Sequence, residues 1–329
     1  MARQTPRLRR STIALAVSGS ALLLSSCGGG STTLNGAGAS FPASIYQRWF
    51  QELSSQGVRV NYQSVGSGAG VRQFMAGTVD FGATDVPMKA EEVSKVTKGV
   101  VQVPMTAGAI AVAYNHKGCD LKLNQGQLTD IFLGKIKDYS ALGCAAKPIK
   151  VVFRSDGSGT TANFSAHLAA ISPEWKNGPG QGKTLNWPTG VGAKGNEGVA
   201  AQLTKLDGGI GYVETAYVRE PLQAAALTNA SGQVLKPTPD AAAAALASID
   251  LGPDLIGSDP NPKAGYPIVS FSWVLLYKTG NGTKLEGLQK LFDYTLSAKA
   301  QEGAGPLSYV PLPEAVLSLG RTAVQGLSK

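Results

Sequence analysis

Three loops of glycine and hydroxyl residues each open a predicted helix, and two of these loops follow a short apolar stretch. The loops are residues 36–41 (GAGASF), 66–70 (GSGAG) and 154–160 (RSDGSGT). Short β-branched runs that alternate with helical patterns are typical of strand–helix units. The sequence therefore predicts an α/β fold with mainly parallel sheets.

Residue spacing sets the predicted elements around these loops. Pro42 suits the first helical turn, and Ile45, Trp49 and Leu53 give that helix an apolar face, joined by Tyr46 and Phe50. Further helices are predicted at residues 71–76, 241–247 and 285–297, and one more runs from the third loop through Leu168. Strands are predicted at residues 58–62, 109–114, 149–153 and 268–277.

The composition fits a folded protein of about two domains. The chain has 329 residues, of which 43% are hydrophobic and 16% charged, whereas a disordered chain is poorer in apolar residues. The formal net charge is +8, and four of the basic residues are arginines within residues 3–10. Without residues 1–26 there are 26 basic and 22 acidic residues. The remaining charge is spread without a basic block, so the sequence predicts no nucleic-acid partner.

The N-terminus has the pattern of an export signal. Basic residues 3–10 precede a largely apolar stretch at residues 12–24, which is too short to span a bilayer of about 30 Å. Residues 24–27 (LSSC) resemble a bacterial lipobox. We therefore expect residues 1–26 to be a lipoprotein signal peptide, Cys27 to be acylated, for example with palmitate, and residues 27–33 to be a flexible tether. The alternative is an ordinary signal peptide whose cleavage site contains a cysteine.

Two cysteines remain if Cys27 carries lipid. Cys119 and Cys144 form an even pair in an oxidising location, and their spacing lacks the clustered partners of a zinc site. We predict a disulfide between them, with two inert thiols as the alternative.

The three loops have the composition of an anion-binding site. Glycine lets the backbone approach a ligand, hydroxyl groups donate hydrogen bonds, and the first amides of a helix are unpaired at the positive end of its dipole. Arg154 and Asp156 add charge to the third loop. Taken singly, each loop also fits a plain turn, and Asp85 by itself fits a surface or capping carboxylate.

Motifs of other functions do not account for these loops. Residues 178–184 (GPGQGKT) mimic a nucleotide-binding P-loop, but Asn177 stands where that motif requires glycine. Residues 66–70 lack the GxGxxG spacing of a dinucleotide site. His116 and His167 are the chain's two histidines and leave little material for a Ser-His-Asp triad. The sequence predicts no cofactor, no metal and no catalytic residue.

Several further blocks occur in a definite order along the chain. They are residues 36–42 (GAGASFP), 79–85 (VDFGATD), 132–136 (FLGKI), 156–160 (DGSGT), 186–188 (NWP) and 195–199 (GNEGV). In this order and at these separations they resemble the substrate-binding protein of the high-affinity bacterial ABC phosphate uptake system. Residues 266–268 and the final helices extend the resemblance to most of the chain after the signal peptide.

The resemblance implies a periplasmic-binding-protein type II fold. In that fold two α/β lobes are joined by crossover strands, and phosphate is buried in the cleft between them. The first lobe would comprise residues 34–108 and about 270–329, and the second lobe about residues 112–264.

The resemblance also implies a set of phosphate ligands divided between the lobes. These are Ser40, Phe41, Ser67 and Asp85 in the first lobe, and Arg154, Ser158, Gly159 and Thr160 in the second. All would donate to phosphate except Asp85, the carboxylate acceptor, and Asp156 would hold Arg154 in place. Ser40 departs from the threonine common in the family but keeps the hydroxyl.

The implied function is high-affinity binding of inorganic phosphate and its delivery to an ABC-type membrane permease. The protein would be a non-enzymatic monomer in the periplasm or another extracytoplasmic location, anchored to the cell membrane by its lipid. An exported phosphohydrolase or a phosphate-sensing adhesive protein that uses the same pocket is the alternative. Catalysis would need a metal cluster or an activated nucleophile, and the sequence indicates neither.

Overall fold

The structure is a computed structural model that describes residues 1–2 and 32–329. The strands are β1 (Thr32–Gly38), β2 (Val58–Ser64), β3 (Phe81–Thr84), β4 (Val100–Tyr114), β5 (Lys122–Leu123), β6 (Lys150–Arg154), β7 (Val191–Ala193), β8 (Gly209–Glu214), β9 (Gln223–Ala224), β10 (Ala226–Thr228), β11 (Val234–Leu235) and β12 (Val269–Tyr277). The helices are α1 (Ala43–Ser54), α2 (Ser67–Met75), α3 (Ala90–Val93), α4 (Gln125–Phe132), α5 (Gly159–Ile171), α6 (Pro173–Asn177), α7 (Gly195–Lys205), α8 (Pro239–Leu246), α9 (Leu285–Thr295), α10 (Ala298–Gln301) and α11 (Glu314–Gln325).

One mixed sheet runs through the described chain in the order β2-β1-β3-β12-β4-β8-β6-β7, with β9 also paired to β4. Strands β1, β2 and β3 pair in parallel on one flank, and β6, β7 and β8 pair in parallel on the other. Between the flanks, β12 and β4 pair antiparallel with their neighbours. The predicted parallel pairing thus holds for the flanks, and the centre differs because β4 and β12 run in opposite directions.

Strand β4 connects the two flanks. Its residues Val100 to Ala109 pair with β12, and its residues Ile110 to Tyr114 pair with β8. The sequence predicted only residues 109–114, because Pro104 and polar neighbours interrupt the apolar pattern before them. In the structure Pro104 lies at a register shift between β4 and β12, where a proline is tolerated because the regular hydrogen-bond ladder is broken.

The helices that follow the first two loops begin at different points from those predicted. Helix α1 begins at Ala43 with Pro42 as its N-cap, and it buries all five predicted apolar residues. Helix α2 begins at Ser67 instead of residue 71, so the glycine-rich stretch is its first turn. Gly70 is needed there because a Cβ would lie 2.5 Å from the Cα of Gly38.

The start of the described chain also differs from the prediction. Thr32 and Thr33 belong to β1 and pair with β2 instead of forming the end of the tether. Cys27 and nearly all of the predicted signal peptide lie outside the described residues. Within residues 32–329, every helix is too short or too polar to cross a membrane.

Candidate anion-binding site

Four helices begin where strands of the sheet end. Helices α1, α2, α5 and α7 follow the carboxyl ends of β1, β2, β6 and β7. Ligands of open α/β sheets bind outside the carboxyl ends of the strands. The unpaired amides and positive dipole ends of the helices favour an anion at this place.

Ser40 and Phe41 lie in the buried turn before α1. The hydroxyl of Tyr217 donates to the carbonyl oxygen of Ser40 at 2.7 Å, and the hydroxyl of Tyr309 donates to that of Phe41 at 2.7 Å. These two bonds hold the peptide groups of the turn in one orientation, which also fixes the direction of their amides.

Ser67, the first residue of α2, links the two flanks of the sheet. Its hydroxyl oxygen accepts from the amides of Asp85 and Gly159, each at 3.2 Å. Asp85 follows β3 on the same flank as Ser67, whereas Gly159 opens α5 on the β6–β8 flank. The hydroxyl of Ser67 therefore links the loops of both flanks by hydrogen bonds.

Asp85 is the buried carboxyl of the site, with 2% of its surface exposed. The hydroxyl of Ser272 on β12 donates to its Oδ1 at 2.8 Å, and the hydroxyl of Ser67 lies 3.4 Å from its Oδ2. Burial raises the pKa of Asp85 to about 7, and the bond from Ser272 and the charge of Arg154 offset this only in part. The group can accept a hydrogen bond from a ligand once it is ionised.

Arg154 ends β6 and brings a buried positive charge to the site. Its Nε and Nη2 donate to the two carboxylate oxygens of Asp156 at 2.7 and 2.6 Å. Burial acts to lower the pKa of Arg154, but the pairing with Asp156 outweighs it and raises that pKa. The bidentate pair fixes the guanidinium and leaves Nη1 directed to the hydroxyl of Thr160, 3.3 Å away.

The start of α5 supplies the remaining predicted ligands. Ser158 is the N-cap, and its hydroxyl oxygen accepts from the Thr161 amide at 2.9 Å. Gly159 cannot carry a side chain, because a Cβ would lie 2.5 Å from the hydroxyl oxygen of Ser67 and 2.7 Å from the Cβ of Asp85. Thr160 is fully buried beside Arg154.

The structure gathers the predicted residues through contacts between the two flanks. Ser67 contacts Gly159, and Ser40 meets Thr160 through one shared partner, Asn196. Ser155, beside Arg154 in the third loop, is exposed. His167 Nδ1 donates to the carbonyl oxygen of Pro260 at 2.8 Å, and burial lowers the pKa of His167 to about 4, so it is neutral near pH 7.

Sequence reasoning missed two residues of the site, Asn196 and Ser272. Asn196 lies in the first turn of α7, after the three-residue strand β7, which is too short to recognise as a strand–helix unit. Ser272 lies in an apolar strand where Ser270 and Ser272 alternate with larger residues. That period of two indicates a polar face on β12 and could have been found.

Cys119 and Cys144 are joined by a disulfide in the structure, with their Cα atoms 5.3 Å apart. Among residues 32–329, no group of three or more histidine, cysteine, aspartate or glutamate side chains is placed to hold a metal ion.

Comparison with known proteins identifies the family. The PBP superfamily domain model matches residues 25–299. "Phosphate-binding protein PstS" of Pasteurella multocida is 41% identical over 305 residues, which cover 87% of this chain and 88% of the relative. The protein of the same name from Haemophilus influenzae is 39% identical, with 87% and 90% covered. The chain belongs to the PstS family of phosphate-binding proteins.

Solved structures confirm the fold expected of a PstS family member. A putative phosphate ABC transporter substrate-binding protein from Clostridium perfringens, with bound phosphate, is 21% identical and has a TM-score of 0.67 over 86% of this chain and 100% of its own. The high-affinity periplasmic phosphate-binding protein PfluDING is 22% identical, with a TM-score of 0.74 over 91% and 99%. The predicted periplasmic-binding-protein fold is therefore correct.

Proposed function

We propose that this chain binds inorganic phosphate at the candidate anion-binding site and delivers it to an ABC-type permease. The names of its PstS relatives and the phosphate-bound neighbour from Clostridium perfringens support this proposal. The observation that carries it is one buried carboxyl, Asp85, set among hydrogen-bond donors from helix N-termini. A protonated phosphate offers oxygens to the donors and a hydrogen to the carboxylate, so it complements both.

In this proposal the predicted ligands keep the roles assigned to them. Phosphate oxygens accept from hydroxyls and amides of both flanks and from Arg154, while Asp156 holds the guanidinium. The donors are Ser40, Phe41, Ser67, Ser158, Gly159 and Thr160. Asp85 accepts a hydrogen bond from the proton that phosphate retains.

Titration calorimetry with phosphate, arsenate, sulfate and molybdate tests the proposal. At about pH 8 phosphate and arsenate retain a proton while Asp85 is ionised, so both should bind, whereas sulfate and molybdate should give no measurable heat. Binding of sulfate in preference to phosphate, or of none of the four, would contradict it.

We also propose that the two flanks belong to separate lobes, residues 34–108 with about 270–329 and about residues 112–264, which close on the ligand. An anion that contacts both lobes stabilises the closed form by its differential affinity. Small-angle scattering should show a smaller radius of gyration with phosphate than without it. An unchanged radius under conditions of proven binding would contradict the two-lobe assignment.

We propose that the protein is a monomeric receptor without enzymatic activity. An assay with an artificial phosphate ester separates it from an exported phosphohydrolase that uses the same pocket. Turnover that disappears in the Ser158→Ala variant would overturn the receptor function, because it would place catalysis at the anion site.

We propose that the receptor is anchored on the extracytoplasmic side of the cell membrane through acylated Cys27. The lipobox-like residues 24–27 support this assignment. Metabolic labelling with radioactive palmitate should mark the parent protein and not the Cys27→Ser variant, and the variant should leave the membrane fraction. Equal labelling of both would contradict the lipid anchor.

A further inference from the structure

We propose that Asn196 orients the hydroxyls of Ser40 and Thr160 so that both donate to the anion, and that it thereby acts as a positioning residue for phosphate. This inference rests on the proposed phosphate-binding function. Asn196 lies in the first turn of α7 and is fully buried between Ser40 of one flank and Thr160 of the other. Its amide groups decide which way the hydroxyls of those two residues point.

The hydroxyl of Ser40 already accepts two hydrogen bonds from Asn196. The backbone amide of Asn196 donates to Ser40 Oγ at 3.0 Å, and Asn196 Nδ2 donates to the same oxygen at 2.9 Å. A hydroxyl has two lone pairs and one hydrogen. With both lone pairs engaged, Ser40 can take part in a further bond only as a donor.

The hydroxyl of Thr160 is engaged in the same way. Its Oγ1 accepts from Asn196 Nδ2 at 3.2 Å and from Arg154 Nη1 at 3.3 Å. Within residues 32–329, neither this hydroxyl nor that of Ser40 donates to a protein acceptor. Both hydrogens are therefore available to an anion, whose oxygens are acceptors.

The orientation of the Asn196 amide is itself fixed. Its Oδ1 accepts from the backbone amide of Glu214 at 2.9 Å. A flip of the side chain would place the NH₂ group against that N–H and its oxygen against two hydroxyl oxygens. The network thus allows one orientation, in which Nδ2 faces Ser40 and Thr160.

Replacement of Asn196 by aspartate would reverse this polarity with little change in shape. The new carboxylate oxygen would accept from the hydroxyls of Ser40 and Thr160, so their hydrogens would turn away from phosphate. It would also place a negative charge beside an anion. Replacement by alanine would remove the side-chain donor without adding a charge.

Calorimetric phosphate binding by the parent, Asn196→Ala and Asn196→Asp tests the inference. We expect a loss of about tenfold for alanine and of at least about a hundredfold for aspartate. Asn229→Asp is the matched control, because Asn229 is also a buried asparagine with satisfied hydrogen bonds, but its partners are Gln233, Lys263 and Gly265. It should bind phosphate like the parent even where its thermal stability falls.

A double-mutant cycle separates positioning from a purely structural role. If Asn196 acts through the hydroxyl of Ser40, the Asn196→Ala change should cost clearly less affinity in a Ser40→Ala background than in the parent. Full additivity of the two changes, or parent-like affinity of Asn196→Asp, would overturn the inference while the parent still binds phosphate. Absence of phosphate binding by the parent would instead overturn the proposed function, and this inference with it. If Asn196→Asp does not fold, the cycle with the alanine variants decides.

Discussion

Gly159 lies so close to Ser67 that the Gly159 amide donates to the Ser67 hydroxyl oxygen at 3.2 Å and a Cβ at Gly159 would lie 2.5 Å from that oxygen. The two residues open helices on opposite flanks of the sheet. Their contact leaves no room for any side chain at position 159. The two flanks can therefore approach this closely at the anion site only because residue 159 is a glycine.

Gly159→Ala should weaken phosphate binding by at least about a hundredfold, because the new methyl group would keep the loops of the two flanks apart. Calorimetry measures the loss. Gly126→Ala is the control, since a Cβ there would meet only the Asn124 side chain at 3.4 Å. The control should bind phosphate normally, and parent-like affinity of Gly159→Ala would contradict the close packing described above.

Arg154→Ala should lower phosphate affinity about ten- to a hundredfold without preventing folding. A charge-assisted hydrogen bond to a buried anion is worth about 1.5 to 3 kcal/mol, and the change would also leave Asp156 without its partner. Arg48→Ala is a suitable control, because Arg48 forms an exposed pair with Glu52 on α1. If Arg154→Ala bound phosphate as tightly as the control, the anion would bind elsewhere.

Much of this site could be predicted because its residues are adjacent in sequence to recognisable loops. Ser40, Ser67 and Ser158 each stand at the start of a helix, and the combination of glycine with hydroxyl residues there has a direct physical meaning. Family resemblance then joined the three loops into one site, which periodicity and composition alone could not do.

The polar face of β12 could have been found from its pattern, but the partners of the remaining residues could not be predicted, because those contacts join distant segments. Asn196 reaches Ser40 across 156 positions of sequence, and Ser272 reaches Asp85 across 187. The full length of β4 was also missed, because its residues Val100 to Gly108 are held in the strand by pairing with β12, a segment distant in sequence. Local patterns carry no information about such partners.

The pair Cys119–Cys144 should stabilise the protein without affecting the anion site. The bond closes a loop between residues 25 positions apart, so the Cys119→Ser/Cys144→Ser variant should lose about 3 kcal/mol of unfolding free energy. Urea unfolding measures this loss, and phosphate affinity should stay at the parent value. Mass spectrometry that finds both thiols free in the exported protein would contradict the bond.

Asp85→Asn should abolish discrimination between phosphate and sulfate. Sulfate carries no proton, so above about pH 7, where Asp85 is ionised, its carboxylate faces sulfate as an acceptor without a donor and as a like charge. The parent should therefore reject sulfate more strongly as pH rises above about 7. An amide can donate as well as accept, so the variant should bind sulfate measurably and phosphate less tightly. Continued rejection of sulfate would show that another group determines selectivity.

The raised pKa of Asp85 predicts how the stability of the phosphate-free protein depends on pH. Because burial raises the pKa to about 7, the folded state retains a proton that the unfolded state has lost between about pH 4 and pH 7. The free energy of unfolding therefore falls as pH rises through this window.

The Asp85→Asn variant removes this dependence, so it should gain stability over the parent as pH rises, by at most about 4 kcal/mol. The difference should level off above about pH 7. The difference isolates Asp85 from Glu214, whose pKa burial also raises. Urea unfolding at about pH 4.5, 6 and 8 measures it, with the exposed Asp254→Asn as control. Parallel stability curves for Asp85→Asn and the parent would contradict the raised pKa.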